Sequence, residues 1–215
     1  MYSFALPTLL CLIIALNIAQ GQQNDKEGFT LVKEDENIFI YERWTTFPGS
    51  DPPVKAREVK GVFNARSTIQ EALKLIQNEK KIQDWQKHVS EFKVYLKSDT
   101  SWWEEYSYHD IPWPVSDQDH FLEYRIDPSS TNDKIFVTFK TKINHHLAPV
   151  RDNVSRMVLS GSWTLEKSGA GKIKATYSIL SMPGNIPRFL TDPVIRNNMM
   201  STIKHYIQIL EQDQK

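Results

Sequence analysis

Residues 186–212 read IPRFLTDPVIRNNMMSTIKHYIQILEQ, and Ile195, Met199, Ile203, Tyr206 and Leu210 recur there at three- to four-residue spacing. That period draws one apolar stripe along a long α-helix. The chain before it has a different period. EFKVYLK (91–97), TSWWEEYSYHD (100–110), DHFLEYRI (119–126), KIFVTFKTKI (134–143), SRMVLSGSWTLE (155–166) and KIKATYSILSM (172–182) alternate apolar and polar positions, with turn residues such as SST and SGAG between them. Six alternating segments in succession predict an antiparallel meander. A sheet with an apolar face and a helix with an apolar stripe cover each other. The expected fold is therefore α+β, a curved antiparallel sheet around the long helix.

Further upstream, FTLVKEDENIFIYERW (29–44) reads as a hairpin turning near Glu34–Asn37, and VKAREVKGVFN (54–64) as a third strand. STIQEALKLIQNE (67–79) reads as a short amphipathic helix, with Ser67 as N-cap, Gln70 three residues on, and Ile69, Leu73 and Ile76 on one face. The first 21 residues, MYSFALPTLLCLIIALNIAQG, carry no charged side chain, hold an apolar run from Leu9 to Leu16 too short to span a bilayer, and end in small residues. They are read as a signal peptide (1–21), which predicts a secreted or periplasmic product. The single cysteine, Cys11, lies inside it, so residues 22–215 have no thiol chemistry and no disulfide.

Composition narrows the function. Of 215 residues 40% are hydrophobic and 24% charged, enough for one domain with its own core, and 26 basic residues balance 26 acidic ones. No net field recruits nucleic acid, so a ligand must be held by shape and apolar contact. On TSWWEEYSYHD the face with Trp102, Tyr106 and Tyr108 also carries Glu104, and the opposite face has Trp103, Glu105, Ser107 and His109. Later strands present Leu122, Tyr124 and Ile126; Ile135, Val137 and Phe139; Met157, Leu159 and Trp163; and Ile173, Tyr177 and Ile179. Tyrosines among such faces fit a satisfied solid core or a pocket with a few polar points.

Other groupings carry less. His145 and His146 are adjacent and point to opposite faces of an extended chain, Asp117 and Asp119 follow a proline turn where Asp is an ordinary cap, and Met199 and Met200 fit either core or an adaptable lining. Asn153-Val154-Ser155 matches the glycan-acceptor pattern. There is no glycine-rich phosphate loop, and Ser160-Gly161-Ser162-Trp163 lies in a strand rather than a nucleophile elbow.

The run YHDIPWPVSDQD (108–119), then GSWTLEKSGAGKIKATYSI (161–179), then SMPGNIPRFL (181–190) before the terminal helix resembles the START family, the steroidogenic-acute-regulatory-protein-related lipid transfer domains. Upstream, IQDWQKHVSEFKVYL (82–96) resembles the family's Trp-containing helix before a strand, so the likeness runs from about Phe29 to Glu211. The resemblance implies a helix-grip fold of the Bet v1-like superfamily, with a hydrophobic tunnel for one lipid or sterol between sheet and helix. Residues 22–215 are then a single START-like lipid-binding domain, with Trp102, Glu104, Tyr106, Tyr108, Tyr124, Phe139, Trp163, Tyr177, Met199 and Ile203 lining the tunnel. Trp113, in the Pro-Trp-Pro loop, is expected at its rim with Leu190 and Val194 across from it, as a gate or equally as a core plug. The chain departs from the family at Gln118-Asp119, where an Arg-Asp pair is common, and in placing Tyr124 where some sterol-binding members have an arginine. Arg125 is expected outside, so although Glu104 or Glu105 could stand for the family's buried acid, a carboxylate buried without a partner is costly and the expectation is a neutral, tyrosine-lined pocket. The expectation is a non-enzymatic monomer that takes a lipid or sterol-like small molecule, meets a membrane transiently and needs no cofactor, metal or nucleic acid. The alternatives are a cyclase- or hydratase-like enzyme of the same fold and a protein- or membrane-surface module.

Overall fold

The computed structural model describes residues 27–111, 116–182 and 188–212. Its elements, in chain order, are β1 (Thr30–Asp35), β2 (Ile38–Thr46), β3 (Lys55–Arg66), α1 (Ile69–Ile76), α2 (Ile82–Trp85), β4 (Val89–Leu96), β5 (Trp102–His109), β6 (Gln118–Ile126), β7 (Lys134–Thr141), β8 (Ser155–Arg156), β9 (Leu159–Lys167), β10 (Lys172–Ser181) and α3 (Arg188–Gln212). The expected signal peptide lies outside the described residues, as does Trp113 and with it the gate; nothing of the Leu190 side chain is described.

The strands form one sheet in the order β1-β2-β3-β10-β9-β7-β6-β5-β4, with the two-residue β8 beside β6. The meander is present as expected. The sequence pattern did not show how the upstream strands join it: β3 pairs antiparallel with β10 over ten positions, from Arg57↔Ser181 to Arg66↔Lys172. The amino-terminal hairpin therefore extends the meander into one sheet, which α3 packs against along β2 and β3. The approach is close because Gly61 on β3 has no side chain. A Cβ there would sit 2.2 Å from Cδ1 of Ile203, a contact that forces something to shift.

The helix α1 starts one residue later than its pattern suggested. Thr68 is the N-cap, its hydroxyl accepting from the Glu71 backbone N–H at 3.2 Å while the Glu71 carboxylate accepts from the Thr68 N–H at 3.0 Å. A carboxylate at this position also complements the positive end of the helix, which favours Thr68/Glu71 over Ser67/Gln70.

Under the carboxy-terminal half of α3 the core is closed by aromatics. Tyr206 packs 5.0 Å from Trp85, 5.3 Å from Trp163 and 6.0 Å from Phe63 between ring centroids, and its hydroxyl donates to the Ala72 carbonyl on α1 at 2.5 Å. Toward its amino-terminal half α3 is held differently. On the sheet face that meets the helix, Arg57 donates to Glu42 at 2.7 Å and pairs with Asp192 of α3 at 3.0 Å, while Arg196 of α3 reaches Glu42 at 2.9 Å. Glu42 and Arg57 are both buried. A buried charge tolerates such a place only with partners of this kind.

Candidate functional site

Alternation makes each strand two-sided, and cross-strand pairs fix which side is which. Trp163↔Tyr177, Val137↔Trp163, Tyr124↔Phe139 and Trp103↔Tyr124 are successive pairs across β10, β9, β7, β6 and β5. All of these lie on the inner face, where Trp163 meets Tyr206 of α3. An aromatic floor results: Trp163 stacks on Tyr177 at 4.0 Å and 13°, Phe139 lies 6.3 Å from Tyr177 and 5.0 Å from Tyr124, and Trp103 stacks on Tyr124 at 4.8 Å and 9°. Phe139 fits because its partner is Gly161, where a Cβ would sit 2.4 Å from the ring.

Of the expected lining, Tyr124, Phe139, Trp163 and Tyr177 share this inner face, and Met199 and Ile203 of α3 are buried against it. The expected facing is wrong for β5. Trp102, Glu104, Tyr106 and Tyr108 are on the outer face, paired with Arg125, Glu123, Phe121 and Asp119. The inner residues of β5 are Trp103, Glu105, Ser107 and His109. Val194, expected at the rim across from Trp113, is 55% exposed. Alternation could not sign β5, because Trp103 through Ser107 are all buried. Arg125 is outside, as expected, donating to Glu123 at 2.8 Å.

The outer face of β5 is buried by a strap of chain from Lys142 to Arg156. Tyr106, Phe121 and Ala148 form a small second core with Tyr95, Tyr108 and Leu147 around it. Arg156 grips Asp119 through two bonds of 2.6 and 2.9 Å, Tyr106 donates to Asp119 at 3.2 Å, Tyr108 donates to Asp117 at 2.7 Å, and Arg151 pairs with Glu91 at 2.6 Å. The two aspartates singled out in the sequence therefore act as anchors. Glu104 sits between Lys97 at 2.6 Å and Lys142 at 2.7 Å. Burial pushes its pKa up, but the hydrogen bonds and charges of the two lysines outweigh that and hold the carboxyl below its ordinary range.

The inner face of β5 and β6 ends in a polar group that the sequence reading did not assemble. Glu105 and His120 meet at 3.1 Å between Oε1 and Nε2. Ser107 and His109 meet at 3.0 Å between Oγ and Nε2, and the two imidazoles lie 5.2 Å apart. Desolvation, then the neighbouring His120 and His88, push His109 down to about 3. The Tyr124 hydroxyl is held protonated by burial and by the charge of Glu105, with which it shares a hydrogen bond. Two buried polar atoms here make no hydrogen bond among the described residues: Nε1 of Trp103 and Nδ1 of His120. A signal for this end was available. His120 has the same parity as Leu122 and Tyr124, and a polar residue two places before an apolar pair belongs to the same face.

Chemically, this end can hydrogen-bond an uncharged polar group beside an aromatic wall. As a base His109 is poor: a conjugate acid near 3 is far from the operating range that general-base catalysis needs. Ser107 lies in a regular strand paired on both sides rather than at a strained turn.

No family model matches the sequence and no curated protein matches it. The architecture does have counterparts. The STAR-related lipid transfer protein (fragment 25–204) of Xanthomonas axonopodis superposes with a TM-score of 0.68 at 24% identity, over 85% of this chain and 98% of that one. Human StAR-related lipid transfer protein 5 superposes at 0.71 with 14% identity, over 89% of this chain and 90% of that one. The fold is that of the START domains. The START fold extends to other chemistry: the Zhui aromatase/cyclase from Streptomyces superposes at 0.54 with 10% identity, over 74% of this chain and 96% of that one. At such identities the START likeness fixes the fold, and the side chains must supply the function.

Proposed function

We propose that this chain binds one lipid, sterol-like or other hydrophobic molecule between the inner face of the sheet and α3, and carries it through water in an exported compartment. The observation that carries this reading is the aromatic floor running from Trp163 to Trp103 inside a START fold and ending in a buried polar group. A long apolar body lies along the floor, and its burial is worth about 25 cal/mol per Å² removed from water. The names of the structural counterparts, lipid transfer proteins, support the same ligand class. Export rests on the uncharged apolar stretch at residues 1–21. The reading needs no covalent step and no cofactor.

Native mass spectrometry of the purified protein, with extraction of whatever it carries, tests it directly. A stoichiometric apolar passenger, or saturable binding of a fluorescent sterol or fatty-acyl probe, is the expected result. A protein that carries nothing and binds neither probe has another function.

A second reading, turnover of the bound molecule, is favoured by the 3.0 Å contact between Ser107 and His109 and by the shared fold of the Zhui aromatase/cyclase. The depressed basicity of His109 weighs against it. Incubation with aromatic polyketide and sterol-ester substrates checks it: product formed by the wild type and lost in Ser107→Ala establishes an enzyme.

A further inference from the structure

Several residues of the strap from Lys142 to Arg156 do structural work with their side chains. Asn144 turns the chain, its Oδ1 accepting from the His146 and Leu147 N–H groups at 3.1 and 3.0 Å. Ala148 is buried in the small outer core, and Arg151 and Arg156 fasten the strap to Glu91 and Asp119. Asn153 and Ser155 differ from these. Both are exposed, and the side chain of neither makes a hydrogen bond among the described residues.

The backbone accounts for the first of them. Asn153 has a φ of 60°, in a turn where the Val154 N–H donates to the Arg151 carbonyl at 3.4 Å, and asparagine takes this left-handed conformation more readily than other residues with a side chain. The backbone does not account for Ser155. Its N–H donates to the Asp117 carbonyl at 2.9 Å beside its β8 pairing with Gln118, a bond that any residue except proline supplies. The hydroxyl at that position has no structural task.

Asparagine followed two residues later by a hydroxyl residue, with no proline between, is the pattern of a glycan acceptor, and such an acceptor belongs on a surface loop of an exported chain. Of the asparagines in the sequence only Asn153 has serine or threonine at that spacing. The strap also places it well. It lies over the outer face of β5 and β6, on the other side of the sheet from Trp163 and Tyr206 of the α3 interface. A bulky polar group attached there meets neither the aromatic floor nor the helix.

We propose that Asn153 is the acceptor of an N-linked oligosaccharide, with Ser155 as the hydroxyl residue through which the acceptor is recognised. The proposal rests on the export part of the reading above. The donor is a lipid-pyrophosphate-linked oligosaccharide, and a separate transferase of the export pathway acts on this chain as its substrate. The Asn153 Nδ2 forms a bond to C1 of the first sugar, and the bond from C1 to the pyrophosphate oxygen breaks. The lipid pyrophosphate leaves with that electron pair, and the amide nitrogen gives up one proton to a base. The attached sugar adds solvated bulk to the outer face and changes no charge.

The test expresses the full chain, with its own residues 1–21, in a secreting eukaryotic host and reads the intact mass of the secreted protein, its first residue and its peptide map. One oligosaccharide mapped to Asn153 is expected, and peptide-N-glycosidase should release it from the folded, undenatured protein because the site is exposed. Asn153→Gly keeps a residue suited to the left-handed turn, and Ser155→Ala keeps the backbone N–H of β8. Both should have the mass expected for a chain without sugar, whereas Ser155→Thr should be modified like the wild type. A secreted wild-type chain that begins near residue 22 and carries no sugar overturns the assignment while leaving export intact, and this reading needs no variant to fold. A sugar mapped to another residue, retained in Ser155→Ala, or released only after denaturation also overturns it. If the chain stays in the cytosol with residues 1–21 in place, export fails and the assignment with it.

Discussion

Glu104 and Glu105 are adjacent, equally buried, and on opposite sides of one strand. Glu104 faces the strap and is matched by two lysines, in a lattice that continues through Lys142 to Glu123 and Arg125 and is overlaid by the Trp102 ring, 5.0 Å from Lys97. Glu105 faces the helix side, where its partners are the His120 imidazole and the Tyr124 hydroxyl. The outer carboxylate is saturated by cations and fastens the strap. Among the described residues the inner one pairs with no lysine or arginine, and it lies beside two buried polar atoms that make no hydrogen bond. One strand thus carries a face matched by cations and a face of imidazole and hydroxyl partners, and burial alone does not distinguish them; the company of each carboxylate does.

The comparison can be broken at the tryptophans first. Trp103 is fully buried on the inner floor, so Trp103→Ala should lower stability by about 3–5 kcal/mol, as truncations of packed aromatics do. Trp102 is half-buried on the outer face with cations over its ring, and Trp102→Ala should cost no more than about 1–2 kcal/mol. Urea midpoints measure both, and equal losses would show that the two faces have been assigned the wrong way round.

The carboxylates come next. Glu104→Gln removes the negative charge between Lys97 and Lys142, but Lys142 keeps Glu123 and both lysines reach solvent, so the expected loss is about 1–2 kcal/mol. Glu105→Gln retains an acceptor for His120 and should change stability by less than about 1 kcal/mol. The reverse order would mean that Glu105 is the structural carboxylate.

Acidity sharpens the contrast further. The carboxyls of Glu104 and Glu123 are held below their ordinary range in the fold, burial opposing and the hydrogen bonds from Lys142, Lys97 and Arg125 prevailing. A depressed folded value means that the folded state favours the ionised form. Their stabilisation is therefore complete above the unfolded carboxylate range and is lost as pH falls through the depressed folded values. Plotted against pH, the urea midpoint of Glu104→Gln should converge on that of the wild type in acid, and parallel curves would contradict the ion-pair account.

The smallest effect is a titration. Burial, then the charge of Asp119, pushes the Tyr106 phenol up to about 12. Here the folded state favours the neutral form, so this contribution is present below the unfolded tyrosine value and fades as pH rises through about 12. Phenolate absorbance should show a late-titrating tyrosine that moves earlier in Asp119→Asn. An unmoved transition would assign it to another tyrosine.

Much of this was legible beforehand. The alternation from Glu91 to Met182 and the stripe from Ile195 to Leu210 gave the meander and the helix, because period is a property of neighbouring residues and survives in any tertiary context. Parity gave the inner face wherever one side of a strand was plainly polar, as in KIFVTFKTKI. It failed on WWEEYSYH because a second small core, made by residues 142–156, covers the outer side. The apolar side chains of that strap follow no strand or helix period, and nothing in its own pattern says what it lies on.

The sequence by itself determined the order of the long strands and the terminal helix and the supply of aromatic and carboxylate side chains in alternating positions. Only the tertiary structure decided that β3 closes onto β10, that Arg57 and Glu42 hold the start of α3, and that Glu105 rather than Glu104 turns inward toward His120. The physical reason is that alternation fixes which residues share a face but not which face is inside. That sign is set by pairs such as Trp103↔Tyr124 and by a strap more than thirty residues away, whose contacts form only when the sheet is complete.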